Sequence, residues 1–369
     1  MRADSLALAL DESFVMHTYG RLPVEFVRGS GAVLVDTEGN EYLDFLAGIG
    51  SVSLGHAHPV LVEALTRQAG RLWQVGNYYH EENRGELARS LSGLLSTITD
   101  ETGRATGSTG TTWRTFFSNS GAESNEGAIK LARRHGEKNL GGATGIVTAR
   151  KSFHGRTLAT LSATGQDVFH QSFLPLPAGF CAVPLNDIEA LANAIDEPPE
   201  ECGPVCAVML ECIQGEGGVW AAELDYLRAV SELCKERGLL LVVDEVQTGF
   251  FRTGAPFSYQ RAGIEPDVVS MAKGIGGGFP MGAVAARSEV ADLMVPGDHG
   301  STFGGNPVAA AAALSVVNRL TDAFMQAESI SGEVAKIRLL PSSIRRSISP
   351  FASSAKSGSS SSDSFPSRS

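Results

Sequence analysis

Two side chains of opposite charge, Asp244 and Lys273, stand where short apolar runs of the sequence end. The run LLLVV precedes Asp244 and Glu245, and the run VVSMA precedes Lys273, which glycines follow. In an open α/β sheet, ligands bind at the edge where strands end and loops begin. A buried carboxylate needs a cationic partner, such as a protonated pyridine nitrogen. A buried amine of lowered pKa can form an imine with an aldehyde. The pair therefore predicts a site for a planar ring that carries an aldehyde.

The stretch SNSGAE offers an anion site at the start of a helix. A predicted strand ends at Phe117, and Ser120 and Glu123 have the spacing of a capping box. Gly121 and Ala122 leave the first backbone N–H groups of the helix uncovered, an arrangement suited to phosphate. A helix that is merely capped explains the same residues, and both interpretations stay open at this point.

The loop KSFHGRT follows another predicted strand and contains three candidate side chains. Phe153 can stack on a planar ring. Arg156 can bind a carboxylate through two parallel hydrogen bonds, although a structural salt bridge is an alternative. His154 is equally well interpreted as a structural histidine.

Several further groups have more than one interpretation. Gln247 could donate to a phenolate oxygen, and Ser301 and Thr302 offer hydroxyl groups for a second phosphate contact or only a turn. Glu211 and Glu216 have the chemistry of a glycosidase pair, but nothing else supports that activity. The spacing of the histidines in GHAHP permits metal ligation, yet no further ligands are evident, and we predict no metal.

One ligand accounts for all these motifs: a planar, phosphorylated aldehyde with a pyridine nitrogen. That description fits pyridoxal 5′-phosphate, whose protein partners are a Schiff-base lysine and an acidic residue at the ring nitrogen. Each motif alone is common, and their joint occurrence carries the prediction.

The elements that must position these residues form a repeating pattern from Arg114 onward. Strand-like runs alternate with helical patterns, which indicates a mostly parallel sheet covered on both faces, and so an α/β fold. The strand-like runs are TFFSN, GIVTA, CAVPL, VCAVMLE, LLLVVDE, DVVSMA and AVAA. Before them we expect a short helix, strands joined by a turn at Glu38–Asn40, helices after Pro59 and over Glu82–Leu95, and a surface loop over TITDETGRATGSTGTTW. Another helix is expected over Val308–Arg319.

Composition limits the class of protein. The chain has 369 residues, enough for two domains, and its net charge of −11 argues against nucleic-acid binding. Five irregularly spaced cysteines predict reduced thiols and a cytoplasmic location. The longest apolar run, Val308–Val317, is shorter than the ~18 residues of a membrane span, and the acidic N-terminus does not resemble a signal peptide.

Taken together, the motifs resemble those of the class III (ornithine/acetylornithine type) aminotransferases. The matching pieces span about Thr18 to Arg319 and include LGHAHP, FFSNSGAESNEGAIKLAR, FHGRT, IQGEGG, VVDEVQTGFFRTG, SMAKGIGGGFPMGA and GSTFGGNP. The resemblance implies a fold type I transferase that uses pyridoxal 5′-phosphate, with a mostly parallel central sheet in its large domain. It also implies a homodimer with shared active sites.

Roles for individual residues follow from the same resemblance. Lys273 would hold the cofactor as a Schiff base and move a proton, and Asp244 would pair with the ring nitrogen. Gln247 would contact the ring oxygen, while Phe153 and Val246 would cover the two ring faces. The complete cofactor-binding set that we predict is Gly121, Ala122, Phe153, Asp244, Glu245, Val246, Gln247, Lys273 and Thr302, with Lys273 and Asp244 catalytic.

The resemblance also implies how substrates bind. Arg156 would take the α-carboxylate, and Ser301, Tyr19 and Glu216 would lie on the substrate side. Thr302 would reach the phosphate of the neighbouring subunit. The implied reaction moves the terminal amino group of N2-acetylornithine to 2-oxoglutarate, in arginine biosynthesis. The alternatives are ornithine, succinylornithine or 4-aminobutyrate as donor, or an inactive remnant.

The sequence departs from the family pattern at several positions. Cys212 stands where proline is usual, Phe251 stands where the family often has glycine, and the family usually has a small apolar residue near Ser51. After Lys336 the composition becomes serine-rich, which predicts disorder and suggests a frameshifted small domain. We predict an N-terminal segment at 1–60, a large domain at 61–304, the start of a small domain at 305–336 and a tail at 337–369.

Overall fold

The fold is built on a seven-stranded sheet whose strands coincide with the predicted apolar runs. The computed structural model describes residues 5–329, with side chains described as far as Gln326. The strands of this sheet are β6 (Trp113–Ser118), β7 (Gly145–Ala149), β8 (Phe180–Val183), β9 (Val205–Leu210), β12 (Leu240–Asp244), β13 (Val268–Met271) and β14 (Gly282–Arg287).

The order of the strands across the sheet differs from their order in the chain. It runs β6-β14-β13-β12-β9-β7-β8, and every pair from β13 to β8 is parallel. Only β14 runs against its two neighbours. The prediction of an α/β fold with a mostly parallel sheet is therefore confirmed.

Side chains of the central strands alternate between two apolar layers. Leu241 and Val243 of β12 belong to one core cluster, and Leu240 and Val242 to another. This alternation follows from the two-residue period of a strand, and helices cover both faces of a parallel sheet. The helices are α1 (Leu6–Phe14), α2 (Ala47–Gly50), α3 (Pro59–Ala69), α4 (Glu82–Leu95), α5 (Gly121–Asn139), α6 (Leu158–Ala163), α7 (Ile188–Asp196), α8 (Leu224–Arg237), α9 (Ser288–Ala291) and α10 (Pro307–Ser329).

Residues 5–329 also contain three small antiparallel sheets. They consist of β1 (Phe26–Ser30), β2 (Val33–Asp36) and β3 (Glu41–Leu43), then β4 (Thr97–Thr99) with β5 (Ala105–Ser108), and β10 (Ile213–Gln214) with β11 (Trp220–Ala221). The turn predicted at Glu38–Asn40 joins β2 to β3, as expected. The surface loop predicted over residues 97–113 was wrong in part, because residues 97–108 form a hairpin in which Asp100 accepts backbone hydrogen bonds across the turn.

Helix α10 extends further than the predicted helix. Pro307–Gln326 is long and apolar enough to cross a membrane by length and composition alone. Within the fold, Ala309, Ala313 and Val317 pack into one core cluster, and Ala312 and Val316 into another. Packing inside the protein thus buries 44% of the apolar window of this helix.

Contacts divide the chain into one unit at Met1–Phe324 and a second at Met325–Ser369. The predicted domain boundaries near residues 60 and 304 stay predictions. The serine-rich tail predicted at 337–369 lies outside the described residues, as does the part of the 305–336 segment after Ser329.

Candidate active site

The carboxyl ends of four neighbouring strands meet at one edge of the sheet and surround a cavity of about 420 Å³. Strand β12 ends at Asp244, beside Ser270 of β13, and Lys273 begins the 3₁₀ turn that follows β13. The residues that line this cavity are Ser51, Asn119, Ser120, Gly121, Ala122, Asn125, Phe153, His154, Gly155, Arg156, Glu211, Glu216, Asp244, Val246, Gln247, Ala272, Lys273, Gly278, Phe279, Pro280 and Met281.

Asp244 is held by three hydrogen bonds from three separate parts of the chain. Its Oδ2 accepts from Asn125 Nδ2 and from His154 Nδ1, at 2.7 and 2.8 Å. Its Oδ1 accepts from the backbone N–H of Val246 at 3.0 Å. The residue is only 4% exposed. A buried carboxylate held in this way keeps one orientation toward the cavity.

His154 is the basic neighbour of Asp244 within the protein. Burial disfavours its charged form, but the hydrogen bond and charge of Asp244, together with the charge of Glu211, raise its pKa overall. Its Nε2 is buried and has no hydrogen-bond partner among the residues that the structure describes. His154 and Asp244 therefore form one hydrogen-bonded pair at the wall of the cavity.

Glu211 extends this group from strand β9, which lies between β7 and β12. Its Oε2 accepts the backbone N–H of Phe153 at 2.9 Å. Burial raises the pKa of Glu211 to about 7, with the charges of His154 and Lys273 opposing the shift and that of Asp244 adding to it. The site thus contains a carboxyl group that titrates near neutrality.

Glu211 predicts a pH-dependent stability of the cofactor-free protein. A carboxyl whose pKa rises from 4.5 to about 7 on folding stabilises the fold fully below pH 4.5, and this stabilisation disappears as the pH rises through 7. We expect the unfolding free energy of the wild type, relative to Glu211→Gln, to fall by up to about 3 kcal/mol between pH 5 and pH 8. Urea unfolding at the two pH values measures this difference.

The control for that experiment is Glu197→Gln, which removes an exposed carboxyl at the end of α7. Its unfolding free energy should follow that of the wild type at both pH values. If the unfolding free energies of the wild type and Glu211→Gln change equally with pH, the raised pKa does not belong to Glu211.

Lys273 lies in an unusual backbone conformation and a half-buried environment. Its φ is 47°, in the left-handed region that costs a residue with a side chain about 1 kcal/mol or more. Its Nζ donates to Oε1 of Gln247. Burial lowers the pKa of Lys273, although the charges of Asp244, Glu216 and Glu211 oppose the shift. A lowered pKa increases the fraction of neutral, nucleophilic amine.

The start of α5 forms another wall of the cavity. Ser120 Oγ accepts the backbone N–H of Glu123, at 3.2 Å, as predicted for a cap. The Glu123 carboxylate does not return to Ser120, and instead accepts from the backbone and side chain of Asn119. A Cβ added to Gly121 would lie 2.7 Å from Val246, so only glycine permits this close approach. The helix N-terminus with its small residues faces the cavity, where an anion can bind it.

Arg156 and Phe153 lie at the cavity wall in a cluster of rings. The guanidinium of Arg156 is 4.0 Å from the ring centroid of Phe169 and 5.5 Å from that of Phe153. Among the residues that the structure describes, no carboxylate lies within ion-pair distance of Arg156. Its position over the rings leaves the guanidinium able to bind an incoming carboxylate.

Four predicted residues do not line this cavity. Glu245 is fully buried and accepts from Ser258 Oγ at 2.6 Å and from Tyr259 N at 3.0 Å, so its carboxylate belongs to a separate network. Tyr19 is 73% exposed, and Thr302 is also exposed. Ser301 Oγ accepts from Asn119 Nδ2 at 3.2 Å, which places it next to a lining residue.

The residues that sequence reasoning missed are Asn125, Glu211 as a member of this network, and the link from His154 to Asp244. The only signal for His154 and Glu211 was their position just after predicted strands, because carboxyl ends of parallel strands share an edge. No local pattern marked Asn125, which reaches Asp244 from 119 positions away.

The described residues fit pyridoxal 5′-phosphate. The cavity brings an amine, an anchored carboxylate and a helix N-terminus together, and these match the aldehyde, the ring nitrogen and the phosphate in chemical type. In the same part of the chain, no group of three or more His, Cys, Asp or Glu side chains is arranged to hold a metal ion.

Comparison with known proteins shows the family of the chain. The sequence profile of aminotransferase class-III matches residues 14–342. The acetylornithine aminotransferase of Caldanaerobacter subterraneus subsp. tengcongensis is 49% identical over 321 residues, which are 86% of this chain and 76% of that protein.

Solved structures agree in fold. The ornithine aminotransferase of Toxoplasma gondii superposes with a TM-score of 0.77 at 34% identity, over 86% of this chain and 71% of that one. The acetylornithine aminotransferase of Elizabethkingia anophelis gives 0.71 at 33% identity, over 88% and 75%. The profile match, the identity and the cavity lead to one conclusion: this chain belongs to the class III, pyridoxal-phosphate-dependent aminotransferases.

Proposed function

We propose that the chain transfers the terminal amino group of N2-acetylornithine to 2-oxoglutarate, a step of arginine biosynthesis. The observation that carries this proposal is that Lys273 and Asp244, from neighbouring strands, line one cavity. The similarity to acetylornithine aminotransferases supports this choice of donor.

Residues of the chain bind the cofactor, orient it and move protons. Pyridoxal 5′-phosphate, when bound, supplies an aldehyde for amines and an electron-withdrawing ring. Lys273 is the attachment point, and its Nζ takes up and returns a proton, which the lowered pKa favours. Asp244, oriented by Asn125 and His154, places a negative charge where a protonated ring nitrogen binds.

The remaining cofactor contacts follow from the cavity wall. Gly121 and Ala122 offer backbone N–H groups to the phosphate, while Phe153 and Val246 cover the ring. Gln247 accepts a hydrogen bond from the amine of Lys273. Once the cofactor occupies that amine, the amide of Gln247 is close enough to contact the ring oxygen.

Substrate recognition rests on Arg156, which we assign to the α-carboxylate of the donor. Glu216 lines the same cavity from the loop after β10. Ser301 and Tyr19 are proposed as further substrate contacts.

The test of the function is amino-donor specificity. We expect kcat/KM for N2-acetylornithine to exceed that for ornithine, succinylornithine and 4-aminobutyrate. Arg156→Ala should lower kcat/KM for N2-acetylornithine by about 100-fold, because a charge-assisted hydrogen-bond pair is lost.

Arg156→Lys is the matched control, since it keeps the charge and loses only the paired geometry, and it should retain intermediate activity. A higher kcat/KM for one of the other donors would change the assigned substrate. An unaltered Arg156→Ala enzyme would remove Arg156 from the site.

A homodimer is proposed on the basis of exposed apolar side chains. They occur in segments 43–46, 73–79 and 301–303. The last two segments lie together, because the side chains of Gln74 and Asn77 donate to the backbone carbonyls of Thr302 and Ser301. The exposed members are Leu43, Phe45, Leu46, Trp73, Tyr78, Tyr79 and Phe303. A second copy that covers this surface would bring Thr302 to the partner's cavity and bury the apolar side chains.

Mixing two inactive variants tests the shared site. In a dimer of Lys273→Ala with Thr302→Asp, one site has both wild-type residues, so the refolded mixture should regain about a quarter of wild-type activity. No recovery, together with a monomer in sedimentation equilibrium, would overturn the dimer.

We also propose a cytoplasmic location, in line with the free thiols, and cell fractionation would test it.

A further inference from the structure

Two cysteines that are far apart in sequence touch in the fold. Cys181 lies on β8, and Cys202 lies in the turn before β9. Their Sγ atoms are 2.8 Å apart, whereas a disulfide bond is about 2.0 Å long. Both are free thiols, and Cys181 is half-buried while Cys202 is 1% exposed.

Backbone hydrogen bonds next to both cysteines hold this contact in place. The N–H of Gly179 donates to Glu201 O at 2.8 Å, which joins the residues just before the two cysteines. The N–H of Cys202 donates to Pro199 O at 2.9 Å. These bonds fix the main chain beside both cysteines, so the two sulfur atoms meet, and their separation exceeds a disulfide bond by about 0.8 Å.

We propose that Cys181 and Cys202 form a redox-modification site, which a peroxide oxidises to an intramolecular disulfide and a dithiol reduces again. The site lies near the start of β7 and β9, since Thr144 N donates to Pro204 O. It is thus separate from the cavity at the carboxyl ends of these strands.

The reaction balances with peroxide as the two-electron oxidant. The sulfur of Cys202 attacks one peroxide oxygen, the O–O bond breaks, and a sulfenic acid and one water result. The sulfur of Cys181 then displaces hydroxide from the sulfenic acid, the S–S bond forms, and the second thiol proton leaves with the second water. The hydrogen bond from Cys181 lowers the pKa of Cys202, which favours the attack on peroxide, and the same hydrogen bond raises the pKa of Cys181.

The other three cysteines offer controls. Cys206 is fully buried and its Sγ donates to Gly145 O at 3.2 Å. Burial raises the pKa of Cys206 to about 12, and burial also raises the pKa of Cys212 and Cys234. These thiols are therefore poor nucleophiles at neutral pH.

The experiment treats the folded, purified chain with one equivalent of hydrogen peroxide and then blocks free thiols with iodoacetamide after denaturation. We expect a mass loss of two hydrogen atoms, three alkylated cysteines instead of five, and one cross-linked peptide pair that contains Cys181 and Cys202. Dithiothreitol should restore all five alkylation sites.

Single variants separate this site from general oxidation. Cys181→Ser and Cys202→Ser should form no disulfide, whereas Cys234→Ser should form the same cross-link as the wild type. Five alkylated cysteines after peroxide treatment would overturn the proposal, as would a cross-link between Cys202 and Cys206. Chain that is denatured before oxidation should give mixed pairings, which shows that the fold selects the pair.

Discussion

Lys273→Ala is expected to abolish the visible imine absorbance of the purified protein with pyridoxal 5′-phosphate and to lower kcat by at least about 10⁴-fold. The variant loses both the amine that attaches the aldehyde and the group that moves the proton. The methyl side chain of alanine can neither attach the aldehyde nor carry a proton. Absorbance spectra and single-turnover kinetics measure the two losses separately.

Lys235→Ala is the control for this prediction, because it removes an exposed lysine at the end of α8. It should keep the absorbance and the activity of the wild type. Borohydride reduction followed by peptide mapping should label Lys273 alone in the wild type. A label on another lysine would contradict the assignment, and a wild-type chain that stays colourless after cofactor addition would favour the inactive remnant.

Asp244→Asn is expected to lower kcat by about 10³-fold while the absorbance of the lysine-bound cofactor persists. The substitution keeps the shape of the side chain and removes its charge, so the ring nitrogen loses the anion that favours its protonation. His154 loses the same anion, which is the main cause of its raised pKa, and burial then favours neutral imidazole. The pH dependence of the absorbance should therefore change along with the rate.

The matched control is Asp267→Asn, which alters a carboxylate at the opposite end of the same strands. Asp267 accepts the backbone N–H of Leu241 at 2.8 Å, so this variant should lose stability and keep its kcat per folded molecule. An Asp244→Asn enzyme that keeps more than about a tenth of wild-type kcat would exclude the proposed role of the charge.

The strand ends were predictable from local patterns. The predicted run LLLVVDE contains β12, which ends at Asp244, and GIVTA coincides with β7. The prediction of Glu82–Leu95 as a helix is confirmed at both ends. These agreements have a common cause, because apolar periodicity and turn residues act within a few positions of each other. The hairpin at residues 97–108 was missed because its polar, glycine-rich strands lack that periodicity.

The polar network behind the cavity could not be predicted in the same way. It depends on β9 lying between β7 and β12, so that Glu211 meets Phe153 and His154 meets Asp244. The order of strands in a sheet is a property of the whole packing arrangement, and chain order does not determine it. The contact between Cys181 and Cys202 has the same origin.

The sequence by itself determined the fold class, the family, and which acid and amine stand at strand ends. It did so because each of these is encoded in short stretches of apolar and polar residues. Only the tertiary structure decided which groups surround Asp244 and Lys273, that Glu245 points away, and that Lys273 adopts positive φ. Burial and long-range hydrogen bonds decide such features, and both arise only when distant segments pack together.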